Sequence, residues 1–208
     1  MRQGSLVQRL LLFVLVCLLA AIGVVLVTSR SPQSTTASLS DSQFVGPTLP
    51  PGLRAANFSL LDQNGHRVSL AADRGKVVVL TFIRSLCRDA CPLMVEQIKG
   101  ALNDLPAGGR NVPAIGISVE PAQDTTASRR RFLATHEMSG RLAFLSGPVA
   151  QLRQVWHAYA IQPVQGKVDH STFVLLIDKR GFERIGFPVD ELTPEGLVHD
   201  VGVLERES

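Results

Sequence analysis

Acidic side chains are missing from the first 30 residues of this 208-residue chain, where Arg2, Arg9 and Arg30 are the only charges. Those three arginines account for the whole formal net charge of +3; the remaining 178 residues carry 18 Lys/Arg against 18 Asp/Glu. No basic patch and no interleaving of basic and aromatic residues breaks that balance, which excludes nucleic acid as a partner. Internal repeats are absent too, and the length suits one domain with a proper core while being short for two. Cysteine is scarce, at three residues, so any dithiol or metal site must be built from very few thiols.

One feature is abundant where charge is absent. "LLLFVLVCLLAAIGVVLV", residues 10–27, runs for eighteen positions without a charge. That is the lower edge of what crosses a bilayer as a helix, and longer than a usual signal-peptide core. No small-x-small cleavage site follows directly, so the segment is expected to be an uncleaved transmembrane anchor. Cys17 inside it reads as a lipid-facing or packing residue rather than a lipid acceptor. Arg2, Arg9 and the terminal amine precede the segment and only Arg30 follows closely. The positive-inside tendency then leaves residues 1–9 in the cytoplasm and the rest of the chain outside. The short N-terminus lacks a long Arg/Ser-rich transit segment, which favours a bacterial inner membrane, crossed once, with a periplasmic domain. In that compartment a disulfide can persist.

Residues 28–48 hold ten Ser or Thr and no sustained apolar pattern, and "LPPGL" follows at 49–53. Residues 28–54 are therefore expected to be a flexible linker, with an r.m.s. reach of roughly 25–30 Å. From residue 55 to 208 the pattern is globular. "FSLLDQNGHRVSL", 58–70, is two short alternating runs around Asn64-Gly65, a hairpin signal. "KVVVLTFI", 76–83, is an apolar β-branched run of the kind buried on both faces of a sheet. A helix is predicted from Pro92, a strand at 112–119, a helix at 125–136, a strand at 141–147 and a helix at 149–161. A strand at 171–178 and a run at 182–187 around "KRG" form a closing hairpin. The last helix starts at Thr193-Pro194, an N-cap followed by a proline in the first helical position. Alternating strands and helices framed by hairpins imply an α/β layered sheet with helices on both faces.

Cys87 and Cys91, in "SLCRDACPLM" at 85–94, fall between the buried strand and the start of a helix. A helix N-terminus favours an anion, so a thiolate there is stabilised. If the segment winds helically, positions i and i+4 share one face, close enough for a disulfide or a shared metal ion. A structural pair, a redox dithiol, and metal binding with coupled redox chemistry all fit the two cysteines. Two thiolates rarely complete a metal site, so a third ligand is needed. Of five histidines, His66 sits in the hairpin turn, His136 and His199 lie on amphipathic helices and His157 adjoins Trp156. His170 follows "KVD" in a loop directly before a buried strand, where it can face a site on a neighbouring strand-to-helix turn. Two soft thiolates and an imidazole suit copper(I), or copper(II) with an added oxygen ligand. Zinc would want a fourth protein ligand in a structural site.

With those residues in place, the chain resembles the Sco/SenC family of membrane-anchored copper chaperones. The pattern covers about residues 56–200: "FSLLDQNG", "GKVVVLTFI" leading into "CRDACP", "ISVEPAQDT", and "VDHSTFVLLIDKRG". The family's C-x-x-x-C-P motif matches Cys87, Cys91 and Pro92, its acidic motif residue falls on Asp89, and its metal-binding histidine falls on His170. The sequence departs from the family pattern at "IRSL" before Cys87, at Arg88, and at Glu120 in place of aspartate. The resemblance implies a thioredoxin-like fold with an added N-terminal hairpin and a closing C-terminal hairpin, preceded by one transmembrane helix. It implies copper held by Cys87, Cys91 and His170, with Asp89, Pro92 and Asp169 beside the metal and a Cys87–Cys91 disulfide as the oxidised form. It also implies a copper-bearing subunit of a respiratory cytochrome oxidase, or another copper or thiol protein, as the client. A periplasmic thiol-disulfide reductase and a copper or redox sensor are the alternatives. Thioredoxins proper use C-x-x-C with a facing cis-proline, where this chain has an extra residue and "DHST". Peroxiredoxins resemble P-x-x-x-[ST]-x-x-C, but Leu80 and Arg84 occupy those places here.

Overall fold

The computed structural model describes residues 43–161 and 173–207. The expected cytoplasmic N-terminus (1–9), the anchor (10–27), the first part of the linker, and both Asp169 and His170 lie outside the described residues. Among the described residues no helix is long and apolar enough to cross a membrane.

The hairpin at Asn64-Gly65 is formed by β1 (Ser59–Leu61) and β2 (Arg67–Ser69), paired antiparallel as a small sheet of their own. Gly65 sits at φ +85°, the left-handed conformation that makes glycine the natural residue there. The Asp62 carboxylate closes the turn by accepting the Asn64 and His66 N–H groups.

The main sheet has five strands in the order β5-β4-β3-β6-β7. These are β3 (Val78–Ile83), β4 (Ala114–Ser118), β5 (Leu142–Leu145), β6 (Phe173–Ile177) and β7 (Glu183–Pro188). β3, β4 and β5 run parallel, while β6 pairs antiparallel with β3 and β7 antiparallel with β6. Every residue of β3 and β4 is buried, because each strand has neighbours on both sides and a core on both faces. Val79 and Ile83 point into one core, and Val78, Leu80 and Phe82 into the other.

Four helices of eight residues or more are described: α1 (Ala90–Asp104), α2 (Thr126–Thr135), α3 (Val149–Ala158) and α4 (Pro194–Arg206). The first core joins α1 residues Met94, Val95 and Ile98, α2 residues Phe132 and Leu133, and α4 residues Leu197 and Val201. The second joins Leu152, Val155 and Trp156 of α3 to Phe58, Leu60 and Leu70 around the small hairpin. The layered α/β reading therefore holds, with the N-terminal hairpin helping to cover one face. Thr193 caps α4 by accepting the Gly196 N–H, with Pro194 in the first helical position.

Two boundaries differ from the sequence reading. Residues 43–54 were expected to end the linker, yet they pack onto the sheet. Leu49 N–H donates to the Arg184 carbonyl and Gly186 N–H to the Pro47 carbonyl, while Thr48 and Arg54 form bridges to Ile185 and Phe182. Asp200, fully buried on α4, accepts the N–H groups of Val45 and Gly46, both at 2.8 Å. A Cβ at residue 46 would lie 2.5 Å from the Phe187 ring, so the close passage of this arm requires glycine. Its three prolines and the serine-rich stretch before it masked the arm, because its partners lie far along the chain. The second difference is α1, which starts at Ala90 rather than Pro92. Proline tolerates its third helical position because that N–H has no intrahelical partner in any case.

Candidate metal and dithiol site

β3 ends at Ile83, and the chain turns through Arg84–Cys87, where the Cys87 N–H donates to the Arg84 carbonyl at 3.3 Å. Asp89 then occupies the N-cap position of α1, its side chain making no capping bond. The early helix start separates the roles of the two cysteines. Cys87 lies just before α1, and Cys91 is its second residue. Both are buried and unlinked. The Cys91 N–H, one of the free donors of the first helical turn, points at Cys87 Sγ at 3.3 Å.

This geometry makes the two thiols unequal. The Cys91 thiol donates to Cys87, and the Asp89 and Cys91 N–H groups and the Arg84 guanidinium add to it, so the Cys87 pKa falls to about 5 against the opposing effect of burial. Cys91 moves the other way, because its proton is held by the Cys87 sulfur and burial disfavours its charge. Cys87 is thus the standing thiolate and Cys91 the proton-bearing partner. Arg84 is held in turn by Glu120, 3.6 Å away.

The surrounding frame comes from the β4–α2 connection. Ser118, the last residue of β4, donates through Oγ to Asp124 at 2.5 Å, and the Asp124 carboxylate accepts the Ser85 N–H at 2.7 Å. Trp156 of α3 donates its indole N–H to the Ser118 carbonyl at 3.0 Å. Asp124 was legible only as part of the "ISVEPAQDT" segment, and Arg84 only as a departure from the family pattern. Nothing in residue spacing reveals that Arg84 reaches the Cys87 sulfur or that Asp124 reaches the loop before it.

The other histidines behave as the sequence reading had them. His66 is largely exposed in the hairpin turn beside Asp62, and His157 is exposed in the last turn of α3. His136 meets Glu96 at 3.0 Å and His199 meets Asp200 at 2.9 Å. Among the described residues, no group of three or more His, Cys, Asp or Glu side chains could hold a metal ion. Among the described residues the donor set is two sulfurs. It fits a soft ion of low coordination number and leaves room for a ligand from elsewhere in the chain.

A dithiol at the end of a central strand, opening a helix that packs on a mixed five-stranded sheet, defines a thioredoxin-like protein. Within that class the chain belongs to the SCO1/SenC family, whose profile matches residues 48–203. It is 34% identical over 136 residues to the protein SCO2 homolog, mitochondrial, of Bos taurus, covering 60% of this chain and 50% of that protein. It is 32% identical over 133 residues to a putative peroxiredoxin of Mycobacterium tuberculosis, covering 61% of this chain and 78% of that one. Among solved structures, copper-bound ScoI of Bradyrhizobium japonicum superimposes with a TM-score of 0.62 at 28% identity, covering 73% of this chain and 99% of that one. The chain thus spans about half the length of its bovine relative.

Proposed function

We propose that this chain is a membrane-anchored copper carrier that hands its cargo to a copper-bearing subunit of cytochrome c oxidase. The supporting observation is the polarised pair of free, buried thiols in a SCO1/SenC chain that is similar to a copper-bound ScoI. In this reading Cys87, Cys91 and His170 hold the copper, residues 10–27 anchor the chain in a bacterial inner membrane, and the domain faces the periplasm. Copper(I) is the cargo best matched to two thiolates and an imidazole. Cys87 is already a thiolate, so only Cys91 must lose a proton on loading. Transfer proceeds by exchange of one sulfur at a time for a client's sulfur, with no change in the copper oxidation state. Oxidation of Cys87 and Cys91 to a disulfide, which passes two electrons to an acceptor and releases the one proton that Cys91 carries, removes both sulfur ligands and closes the site to copper.

His170→Ala tests the ligand set. The variant is expected to lose copper(I) affinity by on the order of tenfold or more, measured by competition with a chromophoric chelator, while keeping its thiol–disulfide exchange rate. Unchanged affinity would overturn the three-ligand assignment. Loss of exchange without loss of copper would favour a second reading, a thiol-disulfide reductase, which the peroxiredoxin name of one relative and the standing thiolate of Cys87 support.

A further inference from the structure

Asp124 lies outside the cysteine motif, yet it is 2% exposed and both of its oxygens are engaged. Oδ1 accepts the Ser85 N–H at 2.7 Å and Oδ2 accepts the Ser118 hydroxyl at 2.5 Å. The first bond falls where the sheet stops. The β3–β4 ladder ends at the pair Ile83–Ser118, followed only by the Val119 N–H donating to the Ile83 carbonyl. Ser85, two residues beyond the end of β3, has no strand opposite it, and the Asp124 carboxylate stands in for one. From that fixed point the turn Arg84–Cys87 closes, and Cys87 Sγ receives the Cys91 N–H. Ser118 is itself fully buried, and its carbonyl is held by the Trp156 indole on the opposite layer.

We propose that Asp124 is the positioning residue of the dithiol: it clamps Ser85 and thereby sets the place of Cys87 Sγ relative to Cys91. This inference rests on the reading of Cys87 and Cys91 as the working thiols. It adds that their mutual geometry is set from the β4–α2 connection and not from the helix alone. Two sulfurs held in register act as a high effective concentration of one for the other, and that advantage is lost when either can wander.

The test is the equilibrium of the reduced full-length protein with glutathione, in which the dithiol and one glutathione disulfide give the protein disulfide and two glutathiones. Without the clamp, Asp124→Ala should lower the constant for disulfide formation by on the order of tenfold. Asp124→Asn keeps an acceptor for Ser85 and should recover most of it. Ser118→Ala frees one carboxylate oxygen with little change of shape and should shift the constant less, in the same direction, so the proposal stays exposed if Asp124→Ala folds poorly. Asp178→Asn is the control. Asp178 holds the β6–β7 turn, next to the residue paired with Val78, and so lies at the opposite end of β3 from Cys87. It should lower stability without moving the constant. The proposal is overturned if Asp124→Ala and Ser118→Ala both leave the constant at the wild-type value, or if Asp178→Asn shifts it equally. No copper enters this measurement, so failure of the copper reading under His170→Ala is a separate outcome.

Discussion

Cys87 and Cys91 are the same residue type four positions apart, yet they do different chemistry because one precedes the helix and the other is inside it. The free N–H groups of the first turn converge on Cys87 Sγ, and Arg84 brings a full positive charge. Alkylation by iodoacetamide should therefore fall almost entirely on Cys87 at neutral pH. Its rate should be flat above about pH 6 and decline through about pH 5. Arg84→Leu removes one of the groups that stabilise the thiolate, so the profile should move to higher pH, read by the thiolate ultraviolet absorbance. An unmoved profile would leave the cysteine–cysteine and backbone bonds as its whole cause. The presence of the dithiol and its place before a helix were legible from Cys87, Cys91 and Pro92. The inequality was not, because it depends on whether the helix starts at residue 90 or 92. It depends first on the Cys91 thiol donating to Cys87, and in smaller part on a guanidinium in a segment, "IRSL", that carries no recognisable motif.

At the scale of elements, the two hairpins, the buried central strands and the capped last helix follow local rules, and the chain obeys them. Asn64-Gly65 makes a turn, an unbroken β-branched run makes an interior strand, and Thr193-Pro194 starts a helix. The arm at 43–54 follows no local rule. It lies along the outer edge strand β7 and is held by Asp200, a buried carboxylate that accepts two backbone N–H groups 154 and 155 residues away in the chain. Asp200→Ala leaves two N–H groups without their charged acceptor, and is expected to cost about 2–4 kcal/mol of stability. Limited proteolysis should then cut within residues 43–54 of the variant, while the hydrogen-bonded arm of the wild type is expected to resist it. A variant as stable and as resistant as the wild type would show that the β7 pairing alone holds the arm.

For the molecule as a whole, Glu183 on β7 is a buried carboxylate whose pKa burial raises to about 7. An acid raised in the folded state favours folding while protonated. Its contribution is fully present below the unfolded value near 4.5 and is lost as pH rises through about 7. Glu183→Gln should remove that slope, so that above pH 7 the variant exceeds the wild type by on the order of 2 kcal/mol. Thermal unfolding between pH 4.5 and pH 8 measures it, and parallel curves would assign the charge another compensation. The sequence by itself determined the α/β class, the order of strands and helices, the family and the two cysteines. Each of these is written in short-range periodicity, turn chemistry or a contiguous motif. Only the tertiary structure decided that the arm belongs to the domain, which cysteine carries the charge, and that Asp124 reaches the dithiol loop. The first and last rest on carboxylates and N–H groups separated by tens of residues in the chain and brought within hydrogen-bond distance only when the sheet closes its two cores. The second rests on how the few residues around Cys87 are folded at the start of α1.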